Sequence, residues 1–233
     1  MSGPVRRVVV VVPVHDEEAL LPACLQALVR ARDHLLVRRP DVEVGVVVVL
    51  DDCGDGSAAV AARFDVCALD VRERAVGAAR AAGIDAALAA RSTEPAATWI
   101  ACTDGDSVVP DTWLTAQVEL AEGGADVVVG TVRPDPRDLA EHQLAAWQAT
   151  RVPGRANGHV HGANLGVRAD AYLRAGGFTP VDEHEDVLLV ERLRRDPCVT
   201  VVATDVTDVL TSGRTEGRSP GGYAGYLLSR FPP

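Results

Sequence analysis

Short apolar runs alternate with helix-patterned stretches through the first 130 residues, and this rhythm constrains the fold more than any other feature. Residues 8–12 are five consecutive valines, closed by Pro13. A run with no polar alternation reads as a strand buried on both faces, the pattern of a parallel sheet. Comparable runs at 44–50, 66–69, 99–103 and 125–130 predict four more strands. Between them, Leu20, Leu21, Cys24, Leu25 and Leu28 recur at helical spacing within 17–39, and 76–90 is rich in helix-forming Ala. Shorter helices are predicted over 57–64 and 110–121, the second with Pro110 near its start. Strand and helix in alternation imply an α/β chain with a mainly parallel central sheet flanked by helices. The 233 residues fit a single domain that needs no disulfide or metal staple.

The second half is less regular. Helices are predicted over 139–150, 170–175 and 187–195, and strands over 164–168 and 199–203. A loop rich in Gly, Asn and His fills 153–162, and a polar, Gly-rich stretch at 212–222 is expected to be mobile.

Charge and composition exclude several functions. All 23 basic residues are Arg, which removes Schiff-base and P-loop chemistry, both dependent on Lys. A net charge of −10 argues against nucleic acid as a partner. The five cysteines match no zinc pattern and are expected to be reduced and mostly buried. The valine run after Arg6 and Arg7 is too short for a signal-peptide core, and no stretch approaches the ~20 apolar residues of a membrane span. A cytoplasmic location is expected, with peripheral membrane contact left open.

Ligands of open α/β sheets bind at the carboxyl ends of the strands. Three predicted strands run there into acidic loops: His15-Asp16-Glu17-Glu18, Asp51-Asp52-Cys53-Gly54-Asp55 and Asp104-Gly105-Asp106. One such loop is an ordinary helix cap. Three on one edge repel each other unless a cation or ligand donors compensate. Asp104 and Asp106, two apart on an extended chain, point the same way. That suits a hard cation, since Mg²⁺ takes one or two carboxylates together with phosphate oxygens. His184-Glu185-Asp186 precedes a predicted helix, where the helix dipole favours acids and where a carboxylate can also serve as a general base.

In their order and spacing, the segments VVVPVHDEEALLPACLQAL, VVVVLDDCGDGSAAVAARF, RAVGAARAAGIDAAL, WIACTDGDSVVPDTWL, HGANLGVRADAYLRAGGF and EHEDVLLVERLRR resemble the family 2 glycosyltransferases, over about residues 8–195. The resemblance implies the Rossmann-like GT-A fold, with about 1–130 binding a nucleotide-diphospho-sugar donor and about 131–233 binding the acceptor. It implies that Pro13, His15 and Glu17 lie against the base and ribose, that Asp51 accepts a hydrogen bond from the base, commonly uracil, and that Arg80 lies close to the nucleotide or its phosphates. Asp104 and Asp106 would hold Mn²⁺ or Mg²⁺, with Asp106 the direct ligand. Gly162, Ala163 and Asn164 would line the sugar and acceptor. Glu185 and Asp186 would be the catalytic acidic pair, with Asp186 the base. Arg214 would approach the diphosphate from a closing flap.

The implied reaction is metal-dependent, inverting transfer from a UDP-sugar to a hydroxyl of a small molecule, lipid or glycan. It is expected to be non-processive, because the membrane helices of polymer-forming relatives are missing; a homodimer is left open. The chain departs from the family at Asp16, where Asn is usual, and at Cys53, which interrupts the usual Asp-Asp-Gly-Ser. Two alternatives remain. A sugar-1-phosphate nucleotidylyltransferase shares the architecture but normally has a basic, Gly-rich loop after the first strand. A catalytically silent nucleotide-sugar-binding protein would tolerate loss of Asp186. Two further groups stand apart: His159 with His161 read as contacts to the acceptor or a metal or as neither, and Tyr223 with Tyr226 and Phe231 read as an acceptor platform, a weak membrane contact or packing of the tail onto the domain.

Overall fold

A computed structural model describes residues 3–91, 93–181, 183–215 and 221–232. In chain order the elements begin with β1 (Arg7–Val14), α1 (Leu21–Arg38), β2 (Glu43–Asp51), α2 (Ser57–Ala61), β3 (Cys67–Val71), α3 (Val76–Ala89) and β4 (Thr98–Cys102). They continue with β5 (Ser107–Val108), α4 (Trp113–Glu122), β6 (Val127–Pro134), α5 (Glu141–Gln148) and β7 (Leu165–Arg168). The chain closes through α6 (Ala169–Arg174), α7 (Glu185–Arg195), β8 (Val201–Thr211) and α8 (Tyr223–Arg230). All the strands join one sheet in the order β3-β2-β1-β4-β7-β6-β8-β5.

The valine run explains the central layer. Val8, Val10 and Val12 of β1 pack with Leu21, Leu25 and Leu28 of α1, while Val9 and Val11 face Ala79 and Ile84 of α3. Both faces are therefore covered, and each buried valine contributes about 1.5–3 kcal/mol relative to exposure. Pro22, in the first turn of α1, fits a helix that starts after the acidic loop rather than within it.

The sheet is mixed. β3, β2, β1 and β4 run parallel, but β7 is antiparallel to both β4 and β6, and β5 is antiparallel to β8. The cause is the connection. A parallel strand requires a crossover that carries the chain back to the opposite edge. After β6 the chain instead stays at the carboxyl edge, through α5 and the loop to the 3₁₀ turn Gly162–Asn164, so β7 starts where β4 ends.

Other differences have local reasons. β8 extends to Thr211, past the predicted 203, because the mostly polar stretch 204–208 lies on a half-exposed strand that conceals its periodicity. Only Cys24 and Cys102 are buried; Cys67 and Cys198 are exposed, and all five thiols are free. Part of the stretch expected to be mobile, 216–220, lies outside the described residues. Among the described residues no helix is long and apolar enough to cross a membrane.

Candidate active site

The carboxyl ends of β1, β2 and β4 and the start of β7 meet on one edge, above which a cleft of about 1260 Å³ opens. Arg80, Asp104, Asp106 and Arg214 line it, as do Gly162, Ala163, Glu185 and Asp186. Pro13, His15, Glu17, Asp51 and Asn164 are not among its walls.

Arg80 ties two acidic clusters together from α3. Its guanidinium is buried; one Nη donates to Asp104 Oδ1 at 2.5 Å and the other to Glu185 Oε1. Two glycines make room for it. A Cβ at Gly162 would lie 2.5 Å from the guanidinium, and one at Gly77 would lie 2.7 Å from Glu185 Cγ. Burial pushes the Glu185 carboxyl up, and Arg80 pulls it back. Both Nη atoms of Arg80, expected near the nucleotide, are thus engaged by carboxylates.

Arg214 makes a second clasp. It donates to both oxygens of buried Glu17, at 2.6 and 3.2 Å, and stands 3.1 Å from Asp106 Oδ2. The hydroxyls of Ser107 and Thr211 lie 3.3 Å from Asp106 Oδ1. Burial and neighbouring Asp104 push Asp106 up to about 6, against the pull of Arg214. Such a carboxylate is destabilised when charged, and hard oxygen donors of this kind suit a divalent cation.

The stability consequence has a definite sign. A carboxyl raised in the fold favours folding below its ordinary range near 3.9, and this contribution is lost as pH rises through about 6. Asp106→Asn is therefore expected to raise the metal-free stability at pH 8 by about 1–3 kcal/mol. The gain should shrink toward pH 4.5. Thermal unfolding at the two pH values checks this, and an equal gain at both would contradict it.

Asp51 closes β2. Its Oδ1 accepts the backbone N–H groups of Glu73 and Arg74, at 2.8 and 2.9 Å, and its carbonyl accepts His15 Nδ1–H at 2.6 Å. Its buried Oδ2 has no partner among the described residues. A buried acceptor left open costs about 1–3 kcal/mol, unless a ligand supplies the donor. The two sequence departures meet beside it. Asp16 Oδ1 accepts the N–H groups of Gly54 and Asp55, at 2.7 and 3.2 Å, so the acid at position 16 caps the loop that Cys53 lengthens. Asp16, Asp52, Arg74 and His184 all have positive φ, between 53° and 63°. Three of these positions flank the strand ends and the fourth precedes α7, so backbone strain gathers around the site.

Asp186 opens α7. Its Oδ2 accepts the Gly162 N–H at 2.6 Å and its Oδ1 accepts the Val187 N–H at 2.7 Å, which fixes the carboxylate at the cleft wall. Each oxygen keeps a further lone pair. Asn164 behaves differently. Fully buried, it donates to the carbonyls of Thr131 and Thr207, at 2.7 and 2.6 Å, and accepts from Trp113 Nε1 at 2.9 Å. It braces β6, β8 and α4 and does not line the cleft. Asn164→Ala is expected to cost about 2–4 kcal/mol through the polar groups it leaves unpaired. Denaturant unfolding measures this; an unchanged midpoint would contradict it.

Sequence reasoning missed Arg74 and the contact of Thr211, a residue of the expected flap, with Asp106. Arg74 lines the cleft, offers its N–H to Asp51 and pairs with Asp52 at 2.7 Å. The charged triplet Arg72-Glu73-Arg74 before an Ala-rich helix was its only signal. Thr211 reaches Asp106 because β8 pairs with β5 (Ser107 opposite Thr211), and nothing in the sequence marks that pairing.

Comparison with known proteins bears on the family and the fold. The model of glycosyl transferase family 2 matches residues 9–171. No curated protein matches the sequence. Among solved structures, S. aureus TarS 1–349 in complex with UDP is similar at TM-score 0.61 and 14% identity, over 89% of this chain and 61% of that one. The mannosyltransferase PcManGT from Pyrobaculum calidifontis, in complex with GDP-Man and Mn²⁺, aligns at TM-score 0.60 and 19% identity, over 93% and 59%. Glucosyl-3-phosphoglycerate synthase from Mycobacterium tuberculosis, with Mn²⁺, UDP-Glc and phosphoglyceric acid, aligns at 0.61 and 18%, over 97% and 79%. The chain thus spans about three fifths of the first two. The fold is GT-A, and with the family model matching well over half of its length, the chain belongs to glycosyl transferase family 2.

Proposed function

We propose that the protein transfers a sugar from a nucleotide-diphospho-sugar, a UDP-sugar in the first instance, to an acceptor hydroxyl, with inversion and without processivity. The observation that carries this reading is the partly buried Asp106 beside Asp104, a carboxylate pair compensated by Arg80 and Arg214 on the ligand edge of the sheet. UDP, UDP-Glc and GDP-Man complexes among the similar structures support the donor class, and Mn²⁺ in two of them supports a divalent cation.

Asp106, with Asp104 beside it, would hold Mn²⁺ or Mg²⁺, which supplies Lewis-acid stabilisation of the leaving diphosphate when bound. The open Oδ2 of Asp51 is suited to a base N–H, with Pro13 and His15 at the end of neighbouring β1. Arg214 is suited to meet the diphosphate charge. Asp186, held by Gly162, accepts the proton of the incoming hydroxyl as the acceptor oxygen bonds to C1. The C1–O bond to the diphosphate breaks, and its electron pair stays on the phosphate oxygen. Glu185 keeps Arg80 and Asp104 in register rather than touching the reacting atoms.

Incubation with UDP-glucose and Mn²⁺, with water or an added methyl glycoside as acceptor, is expected to release UDP. Pyrophosphate release from UTP and glucose 1-phosphate would favour a nucleotidylyltransferase instead. Nucleotide binding with neither release would mark a silent binder.

A further inference from the structure

Four rings on the cleft wall are unused by the reaction described above. The loop before Gly162 supplies His159 and His161, and α8 supplies Tyr223 and Tyr226 from adjacent turns. The tyrosines stack at 5.9 Å with 20° between their planes. His161 meets Tyr223 edge-on at 5.7 Å, and His159 tilts against Tyr226 at 5.4 Å. Trp147, Leu227 and Phe231 pack behind them, so the rings stand on a small core of their own. His161 directly precedes Gly162, whose N–H holds Asp186, so the quartet adjoins the carboxylate assigned as base.

We infer that His159, His161, Tyr223 and Tyr226 form the acceptor subsite and that its occupant is the neutral ring of a sugar. This rests on the transferase reading above and names its acceptor class. Tyr and His rings pair flat apolar faces with polar tips, which suits a ring that alternates C–H faces with hydroxyls. His161 Nε2 has no hydrogen-bond partner among the described residues. Burial pushes His161 down to about 4, so its ring is neutral near pH 7. A phosphate- or carboxylate-bearing acceptor would need an uncommitted buried Arg, and this wall lacks one among the described residues. Arg151 donates to Asp208 at 2.9 Å and to the Val132 carbonyl at 3.1 Å, and lies over Trp147 at 5.1 Å. Arg230 is exposed to solvent, where an ion pair contributes little. Asp104 and Asp186 line the same space and repel anions.

The test uses the whole chain with Mn²⁺ and UDP. Methyl β-glucoside, methyl β-galactoside, methyl α-mannoside, glycerol and 3-phosphoglycerate are compared by ligand-observed NMR, and UDP affinity is measured in the same samples. At least one glycoside is expected to bind more tightly than glycerol and 3-phosphoglycerate. Tyr226→Ala should weaken that binding about five- to tenfold while Tyr226→Phe keeps it, because one aromatic face is worth about that much. UDP affinity should stay within twofold. If UDP binds but no glycoside does, if 3-phosphoglycerate binds best, or if Tyr226→Ala changes nothing, the acceptor assignment falls and the donor site stands. If UDP with Mn²⁺ does not bind, the transferase reading falls and takes this inference with it.

Discussion

Asp186→Asn is expected to lower the transfer rate by about 10²–10⁴-fold while leaving UDP binding with Mn²⁺ within a few-fold of the unmodified protein. The asymmetry follows from geometry. An Asn side-chain oxygen can still accept the Gly162 N–H that Asp186 takes at 2.6 Å, and only the local Val187 N–H at the start of α7 loses its acceptor, so the cleft wall should hold its shape. What the amide lacks is the capacity to take a proton. Donor recognition is proposed to rest on other elements: Asp51 at the end of β2 and Asp104 and Asp106 after β4. Steady-state UDP release and equilibrium binding, measured side by side, separate the two. Undiminished transfer would remove Asp186 as the base. Lost nucleotide binding would make it part of the donor site.

The second large effect is structural. Arg80→Met is expected to destabilise the protein by about 3–5 kcal/mol, because it strands Asp104 and Glu185 without their shared partner. At this chain length that corresponds to a melting point lower by roughly 10 °C. Adding Glu185→Gln removes the more buried of the two charges and is expected to recover part of the loss. Arg80→Lys should not substitute, since an ammonium cannot bridge two carboxylates as a planar fork does. Unfolding of the four chains forms a double-mutant cycle. Additive effects of Arg80→Met and Glu185→Gln would mean that the clasp is not a unit.

The parallel half of the sheet was legible because both faces of its strands are covered, and uninterrupted valine is what such burial requires. The acidic loops were legible as a group because sheet topology carries their strand ends to one edge. Partners chosen across long sequence distances were not. Arg80 lies on a helix face that Gly77 and Gly162 allow to approach Asp104 and Glu185, and no spacing rule encodes an approach between residues 105 apart. Asn164 was expected to line the sugar and acceptor; only the meeting of Thr131, Thr207 and Trp113 around it shows a core role. The direction of β7 depended on which edge the chain occupied after β6, which local pattern does not record. α8 was hidden by a short, mixed composition whose order comes from docking on Trp147.

Titration calorimetry of UDP into the unmodified protein, with and without Mn²⁺, tests the metal-assisted donor site most directly. Binding with Mn²⁺ that weakens at least tenfold without it, and that Asp106→Asn brings to the metal-free value, is the expected result. UDP and GDP that both fail to bind with Mn²⁺ present, or that bind equally well without it, would contradict the account.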